Sequence, residues 1–226
     1  NDIANMARAF GLGQKTGIEQ IEEEAGQIQD PNGDPVEVVN QSIGQGTVQV
    51  TPLQVAKFMA ALGNGGTLYR PQLVEKIEPV EGEPTIVFKP EAVGTLPIQP
   101  FRMDIIQQAM IAVVSDSRGT ANFRLRGLTI PVAGKTGTAE SGSGDPHAWF
   151  AGYTMASEST NLPDIAIAVV LENQGEGSDW AAPVFKRIVE TYYYGSPRTI
   201  YWFESNFGVT ETPTPFGGVP TETPKP

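Results

Sequence analysis

Two stretches of this chain place a lysine, a hydroxyl and a glycine in succession, Lys15-Thr16-Gly17 and Lys135-Thr136-Gly137. The first lies between Gly11-Leu12-Gly13 and a polar run, and it reads as turn residues. The second continues into Thr138, Ala139 and Glu140. It follows residues 128–133, where Leu128, Ile130 and Val132 alternate with Thr129, Pro131 and Ala133. A strand is therefore expected to carry a cation, two hydroxyls and a glycine in four consecutive positions. That set suits a peptide carboxylate. The ammonium supplies charge, the hydroxyls donate hydrogen bonds, and glycine lets a ligand backbone approach closely. Pro131 suggests an edge, since proline within sheets is mostly confined to edges and bulges, and an edge strand can accept an extended peptide. From these four residues alone, a surface strand with a solvated lysine is the simpler reading.

The positioning elements follow from periodicity. Ile3, Met6, Ala7 and Phe10 predict a first helix stopped by Gly11. Residues 13–39 are polar and turn-rich and predict a long surface loop, with its clearest turn at residues 30–35. Thr51, Pro52 and Gln54 form the best helix start in the chain, with a cap, a first-turn proline and a capping-box partner. That helix runs through Leu53, Val55, Ala56, Met59, Ala60 and Leu62 to Gly63. Short strand pieces such as residues 85–88 follow, then a helix over residues 102–115 with Ile106, Met110, Val113 and Val114 in one stripe. Residues 147–153 and 165–171 read as two more strands, and residues 180–194 as a closing helix with Val184, Ile188 and Val189 inward. From about residue 210 the composition turns to Thr, Pro, Glu and Gly, so residues 1–204 are expected to form the domain and 205–226 a tail.

Composition narrows the partners. Hydrophobic residues make up 39% of the 226, enough for a core, while 15 Lys and Arg against 26 Asp and Glu give a net charge of -11. A nucleic-acid partner would need a basic face, so none is expected. No cysteine and a single histidine, His147, argue against disulfides and structural metal, and no cofactor is expected. No apolar run reaches the roughly 18 residues of a membrane span, and residues 1–10 lack the basic start and apolar stretch of a signal peptide. With no initiator methionine either, the chain is expected to begin in mid-protein, with any anchor left upstream.

The surroundings of the second Lys-Thr-Gly go further. Residues 132–140, from Val132-Ala133-Gly134 through the motif to Glu140, followed by His147-Ala148-Trp149-Phe150-Ala151-Gly152-Tyr153, closely resemble the third motif of penicillin-binding proteins. Ser42-Ile43-Gly44-Gln45-Gly46, Val50-Thr51-Pro52-Leu53-Gln54, Asn64-Gly65-Gly66 with Pro71, Gly119-Thr120-Ala121 and Ala181-Ala182-Pro183-Val184-Phe185 match in the family's order, from about residue 10 to residue 193. The resemblance implies an α+β fold, an antiparallel sheet flanked by helices, here incomplete. It implies that Lys135, Thr136, Gly137 and Thr138 bind the terminal carboxylate of a D-Ala-D-Ala stem peptide or a β-lactam. The Thr138 backbone N–H would be one of two oxyanion donors, each typically worth ~3 kcal/mol in the transition state. The parent protein would be an extracytoplasmic D,D-transpeptidase cross-linking peptidoglycan. The Gln45-Gly46 loop is expected to pack near the wall of the site.

The family reaction also needs Ser-x-x-Lys and Ser-x-Asn, both upstream of the point where this chain opens. None of its serines has a lysine three places on; Ser115 has Arg118, which stays protonated. Ser159-Thr160-Asn161 has the second pattern in the wrong order and reads as a turn. His147 is placed by the resemblance at a strand start, with no role as a base. Truncation is the expected cause, leaving a fragment inactive alone and partnered in the parent by the upstream part of the same domain. Two alternatives stand beside it: a D,D-carboxypeptidase or β-lactamase relative, and a non-catalytic module that binds wall peptide or a partner. In the family, the strand matching residues 164–172 pairs with a strand before the serine motif. That edge is therefore expected to be covered by a second copy through self-association, or by residues 199–203 folding back as a strand. The helix starting at Pro52 is expected to be left with apolar side chains uncovered.

Overall fold

A computed structural model describes residues 2–19, 21–83, 85–142 and 144–204; the expected tail boundary at 204/205 and the tail itself lie outside the described residues. The sheet that matters is three strands: β5 (Val132–Ala139), β6 (His147–Thr154) and β7 (Ala166–Leu171), antiparallel in the order β5-β6-β7. Lys135 faces Ala151 across the β5–β6 ladder and Thr138 faces Ala148, while Phe150 faces Val169 across β6–β7. Because side chains alternate, each strand feeds two cores. Phe150, Ile167 and Val169 lie on one face under α6 (Ala181–Tyr194), where Phe185 and Val189 complete the packing. Ala151, Tyr153, Ala166 and Ala168 lie on the other, against Val55, Met59 and Leu62 of α3 (Pro52–Gly63). The Phe150 ring meets Phe185 edge-to-face at 4.7 Å. It lies so close to Gly134 that a Cβ there would come within 2.5 Å of it, so β5 needs glycine at that point.

α3 begins as its sequence predicts. The Thr51 side chain accepts from Gln54 N–H, and the Gln54 side chain accepts from Thr51 N–H, a capping box with Pro52 in the first turn. Gln54 is itself buried, and its amide donates to the carbonyls of Gln14 and Ala25, tying the N-terminal segment to the helix. α4 (Pro100–Ser115) packs against β5 and buries Met103 and Met110, and Ile106, Val113 and Val114 lie partly buried beside the cores. Before it, β1 (Thr67–Tyr69) pairs with β4 (Ala92–Thr95), and β2 (Lys76–Ile77) with β3 (Ile86–Val87). α1 (Asp2–Ala9) ends ahead of Gly11, and the short α5 (Asn122–Leu125) leads into β5.

Several expectations are corrected. Residues 13–39 are not one surface loop. Thr16, Ile28 and Pro31 are buried, Gln27 bridges Gln49, and α2 (Pro35–Ser42) starts at Asp34, whose carboxylate accepts from Val36 and Glu37 N–H. β5 starts at Val132 rather than Leu128. Leu128 N–H is bonded back to Leu125 in a turn, and Pro131 has no N–H to give a ladder. Ile188 is exposed. The inner face of α6 is Ala182, Phe185, Lys186, Val189 and Glu190, a helical spacing that includes two charged residues. α3 leaves little uncovered, since Val55, Met59, Ala61 and Leu62 are all buried against the sheet, β1 and α4; exposed apolar side chains gather instead on and just after α2, at Val36, Val39 and Ile43. Residues 199–203 do not pair with β7. The Arg198 and Thr199 N–H groups are given to the buried Glu190 carboxylate, and Trp202 and Phe203 pack on Trp180. Among the described residues no strand lies on the outer side of β7.

Candidate active site on the β5 edge

β5 is the end strand of its sheet, and Lys135 to Thr138, just ahead of its last residue Ala139, carry the motif. Alternation sends Lys135 and Gly137 to one face of the strand and Thr136 and Thr138 to the other, so a ligand laid along the edge can meet both sets. Lys135 is exposed, and its Nζ donates to the Thr136 carbonyl at 2.8 Å. The Thr136 and Thr120 hydroxyls lie 2.8 Å apart, joining the Gly119-Thr120-Ala121 segment to the strand. The exposed Thr138 donates its hydroxyl proton to Glu176 Oε2 at 2.8 Å.

A groove of about 570 Å³ runs beside the strand end. Gly137, Thr138, Ala139 and Glu140 line one side, with Trp149 and His147 from β6. Gly44, Gln45, Gly46 and Val50 line the other, floored by Val55 and Phe58 of α3. Lys135 is not among the lining residues. Gln45 crosses the groove and donates its side-chain amide to the Thr138 carbonyl at 3.2 Å. Its loop is fixed by a carboxylate: Glu37 accepts from the Thr47 hydroxyl, the Thr47 N–H and the Gln41 amide, and these bonds hold it below the usual glutamate range. The sequence reading placed Gln45 near the site wall; its bond to Thr138 spans 93 residues and carries no local signal. Glu176 and Thr120 were also missed as partners of the motif, for the same reason.

The other candidates fall away from this centre. Lys15-Thr16-Gly17 is irregular backbone just after the turn at residues 11–13, with Gly17 at φ +82°, and Glu23 accepts there from the Thr16 hydroxyl and from the N–H groups of Thr16 and Gly17. Ser159-Thr160-Asn161 belongs to the turn after β6, bonded back to the Ala156 carbonyl. His147 accepts the Asn173 N–H at Nδ1, which ties the β7 exit to the start of β6. Among the described residues no helix is long and apolar enough to cross a membrane, and no three His, Asp or Glu gather as a metal site would require.

Comparison with known proteins identifies the family to which the chain belongs. The family model for the penicillin binding protein transpeptidase domain matches residues 1–190. The peptidoglycan D,D-transpeptidase MrdA of Haemophilus influenzae is 31% identical over 219 residues, covering 84% of this chain and 32% of that protein. A crystal structure of Pseudomonas aeruginosa PBP2 in complex with WCK 5153 superposes with a TM-score of 0.68 at 34% identity, over 84% of this chain and 41% of that one. Penicillin-binding protein A from M. tuberculosis, solved as an imipenem acyl-enzyme complex, gives 0.67 at 29% identity over the same 84% and 41%. The chain thus spans about a third of the length of MrdA. With an edge strand carrying Lys-Thr-Gly-Thr, a groove beside it and this match along most of its length, the chain belongs to the penicillin-binding protein transpeptidase family.

Proposed function

We propose that this chain is the substrate-cradling part of a peptidoglycan D,D-transpeptidase that works through an acyl-serine intermediate outside the cytoplasmic membrane. Lys135, Thr136, Gly137 and Thr138 hold the terminal carboxylate of a D-Ala-D-Ala stem peptide, or of a β-lactam. The Thr138 N–H is one oxyanion donor, aimed where charge develops on the carbonyl oxygen. The observation that supports this reading best is the motif's place on an edge strand beside an open groove, where an extended peptide can dock along β5. Gln45, bonded to the Thr138 carbonyl, fixes the end of the strand that carries the donor. The attacking serine comes from a Ser-x-x-Lys segment outside this sequence, because no serine here has a lysine three places on.

Recognition and chemistry can be tested apart. A stem-peptide analogue ending in D-Ala-D-Ala, titrated into the chain and followed by NMR, should shift the resonances of residues 135–138. Lys135→Ala should weaken that binding about ten- to a hundred-fold, the weight of a charge-assisted hydrogen bond of ~1.5–3 kcal/mol. Penicillin should leave the intact mass of the chain unchanged. Equal binding by Lys135→Ala would show that another cation does the work, and a penicilloyl adduct on any serine of this chain would overturn the assignment of the nucleophile.

A further inference from the structure

The Thr138 hydroxyl has one proton, and in this structure it goes to Glu176 Oε2, 2.8 Å away. Glu176 is exposed, but it is not a side chain that has drifted onto the strand. The backbone on either side of it is pinned, on one side to the approach to β6 and on the other to the start of α6. Gly175 N–H bonds the Pro146 carbonyl at 2.9 Å, and the Gly177 carbonyl accepts from Ala181 and Ala182 at the start of α6. Gly177 lies so near β5 and β6 that a Cβ on it would stand 2.2 Å from the Trp149 carbonyl oxygen and 2.3 Å from that of Gly137. The connection from β7 to α6 therefore delivers a carboxylate to the hydroxyl that the motif offers.

We infer that Glu176 is a specificity-determining residue of this site, an internal carboxylate that a substrate's terminal carboxylate must displace from Thr138. The inference rests on the carboxylate-recognition reading of β5. A hydroxyl with one proton cannot donate to two carboxylates, and two carboxylates sharing it repel each other. Lys135 supplies the opposing charge from the other face of the strand. A ligand then binds only if its remaining contacts along the β5 edge outweigh the internal bond, so small anions are refused and extended acyl-D-Ala-D-Ala ends are admitted.

The test uses the whole chain, N-acylated D-Ala-D-Ala and its C-terminal amide, with affinities read by NMR titration. Glu176→Gln removes the charge and keeps the shape. It should raise affinity for the free acid about tenfold, the weight of one hydrogen bond, and raise affinity for the amide by clearly less, because the amide gains the hydroxyl but no relief of charge repulsion. Glu176→Ala should give the same selectivity and guards against the glutamine amide re-bonding Thr138. If Lys135→Ala loses binding while both Glu176 variants bind the acid like the unsubstituted chain, this inference fails and the recognition reading stands. If Lys135→Ala also binds unchanged, the recognition reading fails first. A gain shared equally by acid and amide would show that Glu176 merely covers the strand, and would overturn the inference as well.

Discussion

Thr138 is held from two sides, with its carbonyl taking the Gln45 amide and its hydroxyl bonded to Glu176. The Gln45 bond remains when a substrate carboxylate displaces Glu176, and it keeps the backbone donor in place as charge develops. The grip depends on a close approach two residues wide. Gly177 fits over β5 and β6 only because it has no side chain. Gly177→Ala should push the connection off the sheet and release Glu176, at a cost of about 1–3 kcal/mol as an overpacked contact. A urea midpoint equal to that of the unsubstituted chain would show that the connection has room to shift. Lys135 to Thr138 were legible as a candidate site because their chemistry is local, four side chains in a row on an alternating segment. Their partners were not, since Thr120, Glu176 and Gln45 lie 16, 38 and 93 residues away and no periodicity links them.

At the scale of elements, carboxylates fasten the turn-rich N-terminal segment. Glu23 ties down the irregular Lys15-Thr16-Gly17 segment. Burial pushes its carboxyl up, but the Thr16 hydroxyl, the N–H groups of Thr16 and Gly17 and the charge of Lys15 together hold it below its ordinary 4.5. Glu37 is held low chiefly by the Thr47 hydroxyl, and so fastens the loop that carries Gln45. Both pKa values are depressed on folding, so their contribution is fully present above 4.5 and is lost as pH falls through the depressed values. Stability should therefore fall in acid below that point. In the Glu23→Gln, Glu37→Gln double variant the urea midpoint should already be lowered at pH 7 and should change less on acidification. Parallel pH profiles for the two proteins would assign the acid loss to other groups. This fastening explains what sequence reading missed between residues 13 and 39. Asp34-Pro35 is a helix start in plain letters, a capping carboxylate and a first-turn proline. The surrounding polar residues hid it because their partners, such as Arg8 for Asp30 and Thr47 for Glu37, lie outside the helix. The α3 start was read correctly, since Thr51, Pro52 and Gln54 satisfy one another within a single turn.

Across the whole molecule, three strands separate two cores, and each core is closed by a helix on its own face. Sequence alternation revealed the strands and their order along the chain. Ile188 was misplaced because α6 turns Lys186 and Glu190 inward. There Lys186 donates to the Arg126 carbonyl, and Glu190 takes the N–H groups of Arg198 and Thr199. That same bonding keeps residues 199–203 away from the sheet and leaves β7 at its end. The faces of β7 are well covered, with Ile167 and Val169 buried on one side and Ala166 and Ala168 packed against the α3 core on the other. Its outer backbone edge meets no strand among the described residues. Six residues of apolar strand with open N–H and C=O groups are a template for pairing, and nothing along residues 166–171 blunts it with a proline or a charge. The chain should accordingly self-associate as its concentration rises, β7 against β7 of a second copy. The association should be weak, because two short strands bury far less than a stable interface of ~1,600 Å². Light scattering should show mass growing with concentration, and hydrogen exchange should show alternate β7 amides gaining protection only in the concentrated sample. A constant monomer mass, with those amides exchanging equally fast at every concentration, would mean that the edge stays solvated and that the sheet tolerates an open strand.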